Sequence, residues 1–99
     1  MSMPLNKFPS ICIPYVNAKV TKGEILRVFQ KLNFGKIEKV DIICKKGYKG
    51  EDYKRIFLHF KSLNDDDFAI DVRDRLLSGK DIKIVYDFPW FWKASALKV

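Results

Sequence analysis

His59 is the only histidine in this chain of 99 residues, and no serine, cysteine or carboxylate pair is spaced along the sequence to make it a general base. It reads as a surface or packing residue. Cys12 and Cys44 lie far apart in hydrophobic runs, which suits neither a disulfide framework nor a zinc knuckle and implies reduced thiols. Asp65, Asp66 and Asp67 are consecutive, so their carboxylates diverge on a helix and serve its positive end better than a metal ion. No catalytic residue, metal site or cofactor site is expected, and the protein is read as a non-enzyme. The chemistry left is that of binding.

Two groups of residues carry that chemistry. Phe88-Pro89-Trp90-Phe91-Trp92 gathers aromatics near the C-terminal end of a chain that holds eight Phe, four Tyr and two Trp. Lys45, Lys46, Lys49, Lys54 and Arg55 cluster around a Gly-rich connection, with Glu51 and Asp52 partly cancelling them. The formal net charge of +7 favours polyanions such as nucleic acid over acidic partners. A composition of 47% apolar and 31% charged residues is that of one folded domain. Residues 1–9 lack the apolar run of a secretion signal, and nowhere do enough apolar residues run together to span a bilayer. An intracellular protein with no membrane partner is expected.

These side chains must be positioned by regular elements. Ile11-Cys12-Ile13-Pro14-Tyr15-Val16 alternates as a strand with Ile11, Ile13 and Tyr15 on one face and Cys12 on the other, regular only to about Ile13 because Pro14 cannot donate to a ladder. Thr21-Lys22-Gly23-Glu24 has capping-box spacing. Ile25, Val28, Phe29 and Leu32 then form one helical stripe, which Gly35 is expected to end through a left-handed residue. A second strand over 36–46 and a third over 53–60, with Ile56, Leu58 and Phe60 on one side, form a hairpin through 47–52. Asn64 caps a second helix with Phe68, Ala69, Val72 and Leu76 at helical spacing and a stop at Gly79. Ile82, Ile84 and Tyr86 alternate in a fourth strand.

The order β-α-β-β-α-β predicts an α+β, ferredoxin-like sandwich: a four-stranded antiparallel sheet in the order 4-1-3-2, with both helices on one face. The expected organisation is an extension over 1–9, a domain over 10–87 and an aromatic tail over 88–99. One sheet face stays bare, dominated by Cys12 from the first strand and Arg55, Phe57 and His59 from the third.

On these residues the chain resembles the RNA recognition motif, which stacks bases on aromatics of its two central strands. The resemblance covers residues 10 to 87. Its first signature falls on residues 11–16, with Cys12 where the family usually has an aromatic. The second falls on 53–60, where Phe57 matches a platform aromatic, Arg55 replaces another and Lys54 replaces a glycine. Leu32-Asn33-Phe34-Gly35-Lys36-Ile37, Phe57-Leu58-His59-Phe60 and Val85-Tyr86-Asp87-Phe88-Pro89-Trp90-Phe91-Trp92-Lys93 further resemble the small RRM-like proteins of nucleocytoplasmic large DNA viruses. That resemblance implies a viral protein of host cytoplasm, viral factory or virion.

The expectation is a binding module for single-stranded RNA or DNA through Phe57, Arg55 and Tyr53, with Lys45, Lys46, Lys49 and Lys54 as phosphate contacts. The alternative is a protein-interaction or homodimerising domain whose interface is Phe88, Trp90, Phe91 and Trp92. Three destinations are open for the tryptophans: packing over Cys12, Ile43, Phe57 and Val85 to seal the bare face, stacking on bases, or meeting a partner.

Overall fold

The computed structural model describes residues 10–33, 35–64, 66–87 and 89–97. The extension over 1–9, Asp65 and Phe88, whose roles are expected from the sequence, lie outside the described residues. The elements are β1 (Ile11–Asn17), α1 (Lys22–Leu32), β2 (Gly35–Lys46), β3 (Asp52–Leu63), α2 (Asp67–Leu77), β4 (Ile82–Asp87) and β5 (Trp90–Ala96).

The protein is α+β, but its antiparallel sheet has five strands, in the order β2-β3-β1-β5-β4. The expected pairings of the third strand with the first and the second are kept. The fourth strand is displaced outward, because Trp90–Ala96, within the supposed tail over 88–99, form β5, which lies between β4 and β1. Alternation drives the insertion: Trp92 and Ala94 are buried, whereas Phe91 and Lys93 point away from the core. The sheet therefore does not stop at residue 87.

Pro14 acts as expected, with one consequence for its neighbour. The β1–β3 register shifts between Ile13 and Val16, so Val16 is buried in line with the core and Tyr15 is 59% exposed. A bulge at the residue without an amide donor re-aims the next side chain, and Tyr15 leaves the face of Ile11 and Ile13.

Thr21 caps α1, its Oγ1 accepting from the Glu24 amide at 3.2 Å. The helix ends earlier than Gly35 suggests. Asn33 takes the left-handed conformation (φ 51°, ψ 51°) and its amide donates to the Phe29 carbonyl, so Gly35 is free to open β2. Asp66, not Asn64, caps α2 by accepting from the Ala69 amide at 2.8 Å. Asn64 instead donates to the Asn33 carbonyl at 2.6 Å, tying the start of one helical segment to the end of the other. Gly79, at φ 84°, follows α2 as expected.

Both helices contribute to a single core. Ile25 and Phe29 of α1 and Ala69, Val72 and Leu76 of α2 join Ile11, Ile13, Ile56, Leu58, Ile82, Ile84, Trp92 and Ala94 from the strands. Phe29 meets Phe60 edge to face, with ring centroids 6.5 Å apart. All the strand residues in this cluster share one face with both helices, so among the described residues the opposite face carries no helix. Among the described residues no helix is long and apolar enough to cross a membrane.

Candidate functional site

The helix-free face is built by the ladders. Phe57 of β3 lies between Asp41 of β2 and Cys12 of β1, and Cys12 lies opposite Ser95 of β5. Two residues along β3, Arg55 pairs with Ile43; two further, Tyr53 pairs with Lys45. Because side chains alternate, Tyr53, Arg55, Phe57 and His59 all point from this face. Four of the sequence-predicted site residues, Phe57, Arg55, Tyr53 and Lys45, are thus brought together.

Tyr15 joins them. Its ring stacks on Tyr53 with centroids 4.9 Å apart and planes inclined by 22°. Sequence reasoning placed Tyr15 on the other face, and the signal that could have moved it was the bulge-forming Pro14. The Arg55 Nε is buried and finds no hydrogen-bond partner among the described residues. Such a group is an unspent donor, which native folds seldom leave. Burial pushes the Cys12 thiol above its ordinary range, with the nearby Arg55 guanidinium pulling the other way.

The remaining lysines do not converge on this face. Lys54 lies opposite Val16, on the core side, and its ammonium donates to the Val20 carbonyl at 2.8 Å. Its expected phosphate contact therefore does not fit its position, since strand alternation separates it from Arg55. Lys46 is 3.5 Å from Asp52 at the end of the hairpin, and Lys49 sits in the exposed turn, its amide donating to Glu51 at 3.0 Å. These two border the face without forming its surface.

The tryptophans do not pack over Cys12 and Phe57 to seal the bare face. Trp92 is only 5% exposed, lies opposite Ile84 on the core side, and stacks on Tyr86 at 4.5 Å. Trp90, at the start of β5, is 64% exposed. The bare face is not sealed by these indoles. A cleft of about 520 Å³ opens between α1 and the β4–β5 hairpin instead, lined in part by Val28, Arg27, Lys31, Tyr86 and Trp92.

His59 is better connected than its sequence neighbours suggest. Its Nδ1 is 2.8 Å from Ser10 Oγ and its Nε2 is 3.1 Å from Asp41 Oδ2, while Lys39 stands 3.5 Å from the same carboxylate. A carboxylate only accepts, so neutral His59 donates through Nε2 and leaves Nδ1 to accept from the serine hydroxyl. The pairing of strands distant in sequence brings these residues together, correcting the expectation that His59 has no such neighbours. The chain of bonds spans β1, β3 and β2 on an open surface, and the cleft beside α1 includes none of its members. It is suited to fixing the register of three strands. No group of three or more His, Cys, Asp or Glu able to hold a metal ion occurs among the described residues.

No protein-family model, curated protein or solved structure matches this chain. The functional reading therefore rests on the geometry of the face itself: aromatic rings, an arginine and a lysine, spread over adjacent strands. This arrangement can stack planar rings and hold phosphate oxygens.

Proposed function

We propose that the protein is a non-enzymatic binding module of RRM-like, ferredoxin-like descent that holds single-stranded nucleic acid on its helix-free sheet face. The observation that carries the reading is the row Tyr53, Arg55, Phe57 on β3, with Tyr15 stacked on Tyr53 and the Arg55 Nε unpartnered among the described residues. Phe57 and the tyrosine pair offer stacking surfaces worth about 1 to 3 kcal/mol per base. Arg55 supplies a guanidinium plane and donors, Lys45 a phosphate contact, and Lys46 and Lys49 extend positive charge along the hairpin. Resemblance to RRM-like proteins of large DNA viruses supports a place in host cytoplasm, viral factory or particle.

The rival reading, a protein interface, draws support from Trp90 and Phe91, which are 64% and 45% exposed. Salt separates the two. Binding of labelled RNA and DNA oligomers, followed by fluorescence anisotropy, is expected to weaken linearly in log K against log salt, by about 0.7 per phosphate contacted on a single strand. Absence of binding at low salt, together with a stable dimer by light scattering, would favour the rival.

A further inference from the structure

Lys83 and Lys93 stand directly opposite each other across the β4–β5 ladder. Like charges at facing positions destabilise an antiparallel pair, so the placement calls for an anion. Asp81 supplies part of one: its carboxylate is 3.3 Å from Lys93. The Lys83 ammonium instead lies 4.9 Å from the centroid of the Phe91 ring, and Arg75 of α2 closes the group. Arg75, Lys83, Lys93, Phe91 and Asp81 together line a cleft of about 520 Å³. Three cations and one carboxylate leave it positive, and Phe91 is 45% exposed within it.

The strand residues of this cluster, Lys83, Phe91 and Lys93, share a face with the platform, and Arg75 reaches the cleft from α2. Phe91, Lys93 and Ser95 alternate with the core residues Trp92 and Ala94, and Ser95 is opposite Cys12, which is opposite Phe57. By strand spacing and rise, Phe91 lies roughly 15 to 20 Å from Phe57 across β1 and β5. A short oligonucleotide stacked on Phe57 does not reach it, whereas a longer one crossing the sheet does.

Resting on the function proposed above, we infer that the β4–β5 hairpin is a second subsite for the same nucleic-acid strand: Lys83, Lys93 and Arg75 hold phosphate, and Phe91 stacks a base on the ring face away from Lys83. The fifth strand widens the platform and carries the subsite on its outer end. The macromolecule recognised is a single strand several nucleotides long, not a mononucleotide.

The test uses the full chain and a ladder of oligothymidylates and oligouridylates, from a trinucleotide to a decanucleotide, with anisotropy read across a salt series. For the wild type, affinity is expected to rise through the ladder. Lys83→Gln with Lys93→Gln should abolish that rise, leave trinucleotide affinity unchanged, and reduce the salt slope for the decanucleotide by about 1.4. Phe91→Ala should weaken the decanucleotide roughly tenfold and spare the trinucleotide. These residues are exposed, and matching thermal melts will establish that each variant folds. If both variants bind every length as the wild type does while Phe57→Ala still weakens binding, the subsite is overturned and the platform stands. If the wild type binds no oligomer, both fall. Retention of oligonucleotide binding with loss of a protein contact in the Phe91 variant would assign the hairpin to a protein partner and overturn the inference.

Discussion

Ser95 of β5 faces Cys12 of β1, and through this pairing the C-terminal strand enters the sheet beside its first strand. A segment that would otherwise cover the platform becomes part of it. Phe91 and Lys93 are added to the open side, and Trp92 is turned into the core.

Trp92 should therefore be a stability residue and Trp90 should not. Replacing a buried tryptophan by alanine costs about 3 to 5 kcal/mol, whereas an exposed one typically changes stability by less than about 0.5 kcal/mol. Urea unfolding of Trp92→Ala and Trp90→Ala measures the difference. In the intact protein acrylamide should quench Trp90 and spare Trp92; equal quenching of both would contradict the placement of β5.

Phe57 is half-buried and packs at the centre of the open face, so its loss should act on binding more than on folding. Phe57→Ala is expected to weaken oligonucleotide binding by about 1 to 3 kcal/mol. Calorimetry of the variant and the wild type with the same oligomer reads this, and an unchanged affinity would remove Phe57 from the site.

The two thiols should differ in reactivity. Cys44 is exposed, whereas Cys12 is partly covered and its thiol is pushed up by burial. A thiol-reactive dye near neutral pH is expected to label Cys44 first, and bound oligonucleotide should slow Cys12 further. Because the folded value is raised above the ordinary 9.0, the native state holds the thiol proton more tightly than the unfolded chain. This contribution is full below the unfolded value and is lost as pH rises through the folded one. Stability should thus fall above about pH 9 in a way that Cys12→Ala removes.

Ser10, His59 and Asp41 link β1, β3 and β2, and removing the imidazole breaks both bonds. His59→Ala is expected to cost about 1 to 2 kcal/mol, at a net value of about 1 kcal/mol per hydrogen bond less any bonds regained with water. Nitrogen NMR should find the neutral ring protonated on Nε2; protonation on Nδ1 would reverse the bonding pattern given above.

What could be read in the sequence was what is decided locally. Thr21 caps α1 because its hydroxyl needs only an amide three residues on, and Ile56 and Leu58 alternate inward wherever the strand is paired. The helix ends were misplaced where two nearby residues can each fill the same capping position. Asn33 adopts the left-handed conformation before Gly35 is reached, and Asp66 caps α2 two residues after Asn64. The fifth strand was hidden because aromatics occupy both parities at 90–92, so the alternation of Trp92 and Ala94 with Phe91 and Lys93 has no polar contrast at its start. Of the candidate face, Phe57, Arg55 and Tyr53 were legible from parity, whereas Lys45 was chosen with the charge cluster of the hairpin. Tyr15 was lost to the bulge at Pro14, and Lys54 was misassigned to the charge cluster of its sequence neighbours. Asp41 and Ser10 lie 18 and 49 residues from His59, and only strand pairing unites them.

The most direct test is a two-dimensional NMR titration of the labelled protein with a single-stranded decanucleotide at low salt. Shift changes are expected at Cys12, Tyr15, Arg55, Phe57 and Phe91 on the helix-free face, with Ile25, Val72 and Leu76 beneath the helices unmoved. Changes confined to the helices or to the cleft beside α1, or none at any oligomer concentration, would contradict the account.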